Sequence, residues 1–209
     1  MEQIRSKSGL AIVLSRLKSF ERPKVSVEQY MMDSEIGAFV LWQAHMKGDI
    51  GKVSVDLGCG TGILGIGALL LGASEVYFVD NDESALAIAK ENLRKVESEY
   101  AIGKARFLDM DVADFNKKAD TVLQNPPFGV KVRHADKIFL EKAIEIGKIV
   151  YSFHKSDSKN FISKFVDEKK FKVTDVWDFE FPLKASFSFH SRRIKRIPVS
   201  CFRMERKAF

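Results

Sequence analysis

The 209 residues are 45% hydrophobic and 30% charged, enough for one sizeable core. Their only long apolar run, 63–71, is interrupted by glycines and falls well short of the roughly 20 residues that cross a bilayer, and the N-terminus lacks a signal-peptide pattern. A compact soluble enzyme in a reducing, cytoplasmic location is therefore expected. Cys59 and Cys201 make neither a disulfide framework nor a zinc set, and the histidines at 45, 134, 154 and 190 lack ligand spacing, so no metal is expected.

Residues 2–19 read as an amphipathic helix through Ile4, Leu10, Val13, Leu14 and Leu17, and 33–47 as a second, forming a helical cap over 1–50. The run 53–62, Val-Ser-Val-Asp-Leu-Gly-Cys-Gly-Thr-Gly, is a strand entering a glycine-rich turn, followed by a helix over 63–71 with Gly72 as its C-cap. Gly58, Gly60 and Gly62 allow positive φ and let backbone N–H groups approach a ligand. Gly65 and Gly67 each cost a helix about 1 kcal/mol relative to alanine, so close packing of this helix on a sheet is expected. Gly60-x-Gly62-x-x-Gly65 also fits the dinucleotide fingerprint.

The next strand, 75–79, ends in Asp80, at the distance past the glycines where an acidic residue receives ribose hydroxyls, so an adenosine moiety is expected. A third strand, 105–108, runs into Asp109, Asp111 and Val112. There a carboxylate can accept from an exocyclic amine and a backbone N–H can donate to a ring nitrogen. The bland alternative for each carboxylate is a solvated strand end.

A fourth strand, 119–124, leads to Asn125-Pro126-Pro127-Phe128. Adjacent prolines fix φ and remove backbone donors, so the turn is stiff and keeps the Asn125 side chain and the Pro126 carbonyl aimed as acceptors. Phe128 adds a stacking face. Such a turn suits a planar amine, although a plain Pro-Pro turn ending a strand reads the same in isolation. The polar loop 129–135 is a candidate mobile flap over substrate. Helix 136–148, strand 149–154, helix 157–169 and strands over 171–181 and 196–206 complete an α/β alternation, with a mostly parallel sheet and an antiparallel edge.

From residue 184 to 209 eight basic residues face Glu205 alone, a net of +7 within a chain of +6, which leaves −1 for residues 1–183. Lys184, His190, Arg192, Arg193, Lys195 and Arg196, near Phe187 and Phe189, suit phosphates with nearby base stacking. A solvated hairpin whose basic edge prevents aggregation fits the same residues.

Asp56-x-Gly58-x-Gly60-x-Gly62, the acidic end of the second strand and Asn-Pro-Pro-Phe after the fourth resemble the S-adenosylmethionine-dependent amino-methyltransferases of the seven-stranded Rossmann-like class I. Leu17-x-x-Phe20-Glu-Arg-Pro23-Lys24, Val27-Glu28-Gln29-Tyr30 and Val150-Tyr151-Ser-Phe-His154-Lys155-Ser156 resemble the narrower family that methylates N6 of one adenosine in small-subunit ribosomal RNA. The resemblance spans nearly the whole chain. It implies a single domain over 1–209: the cap, a cofactor core with the catalytic turn at 51–155, and a C-terminal helix with a basic hairpin at 156–209.

The same resemblance implies that Gln29 and Met32 close over S-adenosyl-L-methionine, that Asp56, Gly58, Gly60, Thr61, Gly62 and Ile63 line it, that Asp80 binds its ribose, and that Asp111 and Val112 bind its adenine. One well-known member carries threonine where Met32 stands and cysteine where Thr61 stands, which leaves backbone contacts at both positions. A small zinc-binding activator subunit on an edge strand is implied as well. Rival readings are a DNA adenine or cytosine methyltransferase, a protein-glutamine methyltransferase, a nicotinamide-dependent oxidoreductase and a non-catalytic RNA-binding factor.

Overall fold

The computed structural model describes residues 3–20, 32–127, 135–183 and 195–207. Two helices precede the sheet. The first, α1 (Lys7–Ser15), is capped by the Ser6 hydroxyl, which accepts the Gly9 N–H at 3.0 Å. The second, α2 (Ser34–Met46), is capped by the Asp33 carboxylate, which accepts the N–H groups of Glu35 and Ile36 at 2.9 and 3.1 Å. The first helix is shorter than its periodicity predicts. Its extension is given up because the Lys18 backbone bonds instead to the side chain of Asn92, a long-range contact that no local pattern announces.

The sheet is built from β1 (Val53–Leu57), β2 (Glu75–Asp80), β3 (Lys104–Asp109), β4 (Ala119–Gln124), β5 (Gly147–Lys155), β6 (Phe171–Leu183) and β7 (Lys195–Arg206) in the order β3-β2-β1-β4-β5-β7-β6. Strands β1 to β5 are parallel, and β7 runs antiparallel to both its neighbours. Chain direction across the sheet reverses between β1 and β4. The carboxyl ends of those two strands frame the crevice in which open α/β sheets bind ligands.

Helices α3 (Ile63–Leu70), α4 (Glu83–Glu97), α5 (Ala135–Ile146) and α6 (Lys159–Glu168) complete two cores, one on each face. On the first face Leu10, Leu14 and Leu41 of the N-terminal helices meet Ile66 and Leu69 of α3 and Phe78 and Tyr151 of the sheet. On the second, Leu140, Ile162 and Val166 cover Val55, Val150 and Phe202. Gly65 packs on the sheet as expected, since a Cβ there would lie 2.4 Å from the Phe78 ring. Gly67 does not: its close neighbour is Leu41 of α2, 2.3 Å from where a Cβ would stand, so this glycine admits the helical cap. Gly72 closes α3 with φ +102°.

At the amino end of the parallel strands, Asp49 and Arg203 form a buried pair with exposures of 5% and 8%. Arg203 Nε and Nη2 donate to the two Asp49 oxygens at 2.6 and 3.0 Å, and the Tyr151 hydroxyl donates to Asp49 Oδ2 at 2.6 Å. Arg203 Nη1 also reaches Thr174 Oγ1 and Glu205 at 2.6 and 2.7 Å. Burial, then Asp49, hold the Tyr151 phenol above its ordinary range, and the Asp49 bonds keep Arg203 charged. Arg206 is likewise held at this end by the carbonyls of Ile144 and Gly147, and Lys207 by Asp167. Three of the eight C-terminal cations, Arg203, Arg206 and Lys207, are thus ion-paired or bound to carbonyls within the fold.

Candidate active site

The first wall of the crevice is the loop after β1. Gly58, Gly60 and Gly62 take φ values of 66°, 52° and 83°, conformations that side chains other than glycine rarely adopt. At Gly58 a Cβ would also meet the Phe139 ring of α5 at 2.6 Å, and at Gly60 it would lie 3.5 Å from the Phe20 ring. Asp56, at the end of β1, is 1% exposed and accepts the Gly65 N–H at 2.7 Å, which fixes α3 against the loop. Asp80, at the end of β2, accepts the N–H groups of Gly60 at 2.8 Å and Asp82 at 2.9 Å. Both its oxygens hold loop geometry while retaining lone pairs for a ligand.

The second wall is the turn after β4. Asn125 Oδ1 is buried and has no hydrogen-bond partner among the described residues. A buried polar atom without a partner is costly and uncommon; Ser54 Oγ and Gln124 Oε1 share that state, but of the three residues only Asn125 lines the cleft between the walls. Beneath the turn, on the opposite face of the sheet, Gln124 Nε2 donates to Ser152 Oγ at 2.8 Å, and Ser152 Oγ lies 2.6 Å from His154 Nε2. All three side chains are buried, and burial pushes the His154 imidazole down to about 3, so it is neutral.

Between the walls lies a cleft of about 370 Å³ of empty space, open mouth included. Of the residues singled out from sequence, it brings together Met32, Asp56, Gly58, Gly60, Thr61, Ile63 and Asn125, with Phe20, Cys59 and Leu64 as further lining. Gly62 sits behind the loop as the N-cap of α3. Asp80 touches the loop from below. Asp111 lies farther out, capping the short turn Val112–Asp114 by accepting the Ala113 N–H at 2.9 Å and meeting Asn81 Nδ2 at 3.3 Å, with Val112 buried beside it. Gln29, Phe128, the 129–134 part of the proposed flap, Lys184, His190, Arg192 and Arg193 lie outside the described residues. Lys195 opens β7, and Arg196 is exposed and pairs with Pro182 beyond the carboxyl end of β5.

Burial pushes the Asp56 carboxyl up to about 8, with the Asp80 charge adding to the rise and the Gly65 bond opposing it. The folded chain therefore keeps a proton that the unfolded chain releases near its ordinary value of 3.8. This contribution is present at low pH and is lost as pH climbs towards about 8. His154 acts in the opposite sense: its contribution is complete above its ordinary 6.5 and is lost as pH falls towards about 3. Above about 6.5 only the Asp56 slope of these two remains. Unfolding free energy is thus expected to fall by up to about 2 kcal/mol between roughly pH 6.5 and 8. Denaturant titrations at several pH values should show this decline flattened in Asp56→Asn.

The residues present fit a cationic, adenosine-bearing cofactor. The cradle of positive-φ glycines admits backbone contact, and the buried carboxyl of Asp56 can ionise beside a positive charge. Comparison with known proteins defines the class. Residues 33–147 match the Methyltransferase small domain. The chain belongs to the S-adenosylmethionine-dependent methyltransferases, and S-adenosyl-L-methionine is its cofactor.

Within that class it belongs to the family of the METTL5 proteins. It is 34% identical to the rRNA N(6)-adenosine-methyltransferase METTL5 of Danio rerio, over 91% of this chain and 94% of the relative. The Drosophila melanogaster protein of the same description is 33% identical, with 92% of both chains covered. The crystal structure of PH1948 from Pyrococcus horikoshii, titled a candidate RNA methyltransferase, is 40% identical and superposes with a TM-score of 0.86 over 96% of this chain and 98% of that one.

The 150–156 segment that carries the family resemblance contains Ser152 and His154, but no local pattern links them to Gln124, or Asn92 to Lys18 and Thr61, because these partners are distant in the chain.

Proposed function

We propose that this chain, working as one domain in the cytoplasm, methylates the exocyclic N6 amine of an adenosine in RNA, specifically small-subunit ribosomal RNA. The observation that carries this reading is the unpaired, buried Asn125 Oδ1 at the edge of the cleft that the glycine loop bounds. Named activities of the METTL5 relatives support it. Bound S-adenosylmethionine supplies an electrophilic methyl carbon.

The chain supplies placement and electrostatics. Asn125 Oδ1 and the Pro126 carbonyl accept the two amine hydrogens and turn the nitrogen lone pair towards the cofactor. Phe128 stacks on the flipped base and offsets part of the few kcal/mol that leaving a stack costs. Gln29 and Met32 cover the cofactor, Asp80 takes its ribose, and Asp111 with Val112 takes its adenine. Lys184, His190, Arg192, Arg193, Lys195 and Arg196 hold the RNA backbone. The exposed position of Arg196 beyond the carboxyl end of β5 supports that assignment.

The family resemblance adds a small zinc-binding activator subunit. Strand β3 is an outer strand of the sheet with Ala105 and Phe107 half-buried, which suits strand addition by such a partner. No helix among the described residues is long and apolar enough to cross a membrane.

The test is incubation with methyl-labelled S-adenosylmethionine and, in parallel, small ribosomal subunits, naked ribosomal RNA, DNA and a protein fraction, followed by mapping of the labelled base. Label on one small-subunit adenosine is expected. Label confined to DNA or protein would overturn the reading. Running the chain alone and with a partner separates intrinsic activity from activation.

A further inference from the structure

Asn92 lies in the middle of α4, outside both walls of the cleft, and is fully buried. A buried amide needs its polar atoms met. Its Oδ1 accepts the Lys18 N–H at 2.7 Å, and its Nδ2 donates to the Lys18 carbonyl at 3.0 Å and to the Thr61 carbonyl at 3.0 Å. One side chain thus imitates a strand neighbour for Lys18 and, with its remaining hydrogen, grips the cofactor loop. Two residues beyond Lys18, Phe20 lines the cleft with its ring over Gly60.

We propose that Asn92 is a positioning residue for cofactor binding, a latch that fastens residues 17–20 to the glycine loop and so holds Phe20 as one wall of the cleft. The proposal rests on the cofactor reading of that cleft. The segment after α1 is irregular, with Leu17 packed against the core. Its Lys18–Glu91 pair, at 2.6 Å, is exposed on both sides and therefore weak and screened by salt. Backbone entropy favours release of such a segment, and the two buried bonds to Lys18 oppose it next to Phe20. Only an amide fits the position: aspartate cannot donate to the two carbonyls, and glutamine is longer by a methylene.

The test is a double-mutant cycle on S-adenosylmethionine affinity, measured by calorimetry without RNA. Phe20→Ala and Asn92→Ala are each expected to weaken binding about tenfold, equivalent to about 1.4 kcal/mol. The double variant should be no more than about twofold weaker than either, because the latch acts through the ring. Should Asn92→Ala disturb folding, the neutral Asn92→Ser replaces it in the cycle. Hydrogen exchange adds a readout free of cofactor: the Lys18 amide of the wild-type protein should be protected, and in Asn92→Ser the segment should exchange faster.

Multiplicative losses in the double variant would show that Asn92 serves the loop alone and overturn the latch. Unaltered affinity in Phe20→Ala, or an unprotected Lys18 amide in the wild type, would do the same. A wild-type chain that fails to bind S-adenosylmethionine at all would instead strike down the cofactor reading of the cleft, a separate result from failure of the cycle.

Discussion

Asn125→Ala is expected to lower kcat about a hundredfold while S-adenosylmethionine affinity stays within about twofold, the scale of a lost preorganised polar contact. The asymmetry follows from geometry. Asn125 Oδ1 has no partner among the described residues, so loss of this acceptor breaks no hydrogen bond there. Gly58, Gly60 and Asp80 remain to bind cofactor. What disappears is an acceptor for an amine hydrogen, needed most as the nitrogen becomes pyramidal. The Pro126 carbonyl remains, which limits the loss. Single-turnover kinetics with saturating cofactor would isolate the step, and unchanged turnover would remove Asn125 from the mechanism.

Asp49→Ala should cost about 3–5 kcal/mol of folding stability, a large share of the 5–15 kcal/mol that a domain possesses. The substitution strands the Arg203 guanidinium in a buried site with only Glu205 and Thr174 as partners, and it takes the acceptor of the Tyr151 hydroxyl. Arg203→Leu should cost a similar amount by leaving Asp49 unpaired. Replacing both with apolar residues of matching volume should recover much of the loss, because the desolvation of two charges is removed with their attraction. Urea midpoints with unchanged slopes would measure it. A loss below about 1 kcal/mol in both single variants would make the pair incidental.

Local period made the strands and most helices legible: the β-branched run 53–57 appears where its pattern puts it, and the strand expected over 171–181 runs two residues further, to Leu183. Boundaries moved where tertiary contacts compete with propensity. The helix expected over 157–169 opens with a tight turn at Ser156–Ser158 before α6, and the strand expected over 149–154 runs from Gly147 to Lys155 because β4 pairs with its start, in the Ala119–Gly147 register, and β7 with its end, up to the Lys155–Val199 register. The glycine loop and the Asn-Pro-Pro turn were legible because their chemistry is contiguous.

Asn92 with Lys18, and Asp49 with Arg203, join residues 74 and 154 positions apart, and no local signal links such partners. Internal pairing is equally invisible in a charge count: Arg203 bonds to Asp49, Arg206 to two carbonyls and Lys207 to Asp167.

The position of β7 also sets the timetable of biosynthesis. Because β6 pairs with β7 alone, a chain lacking residues 195–206 gives residues 171–183 no strand to join and leaves β5 with an open edge. The five parallel strands can pair early, yet the last two places in the sheet fill only when residues 195–206 are free of the ribosome. An interruption late in this segment would therefore hold a half-built protein with one unpaired border on β5, a condition that favours chaperone capture or aggregation.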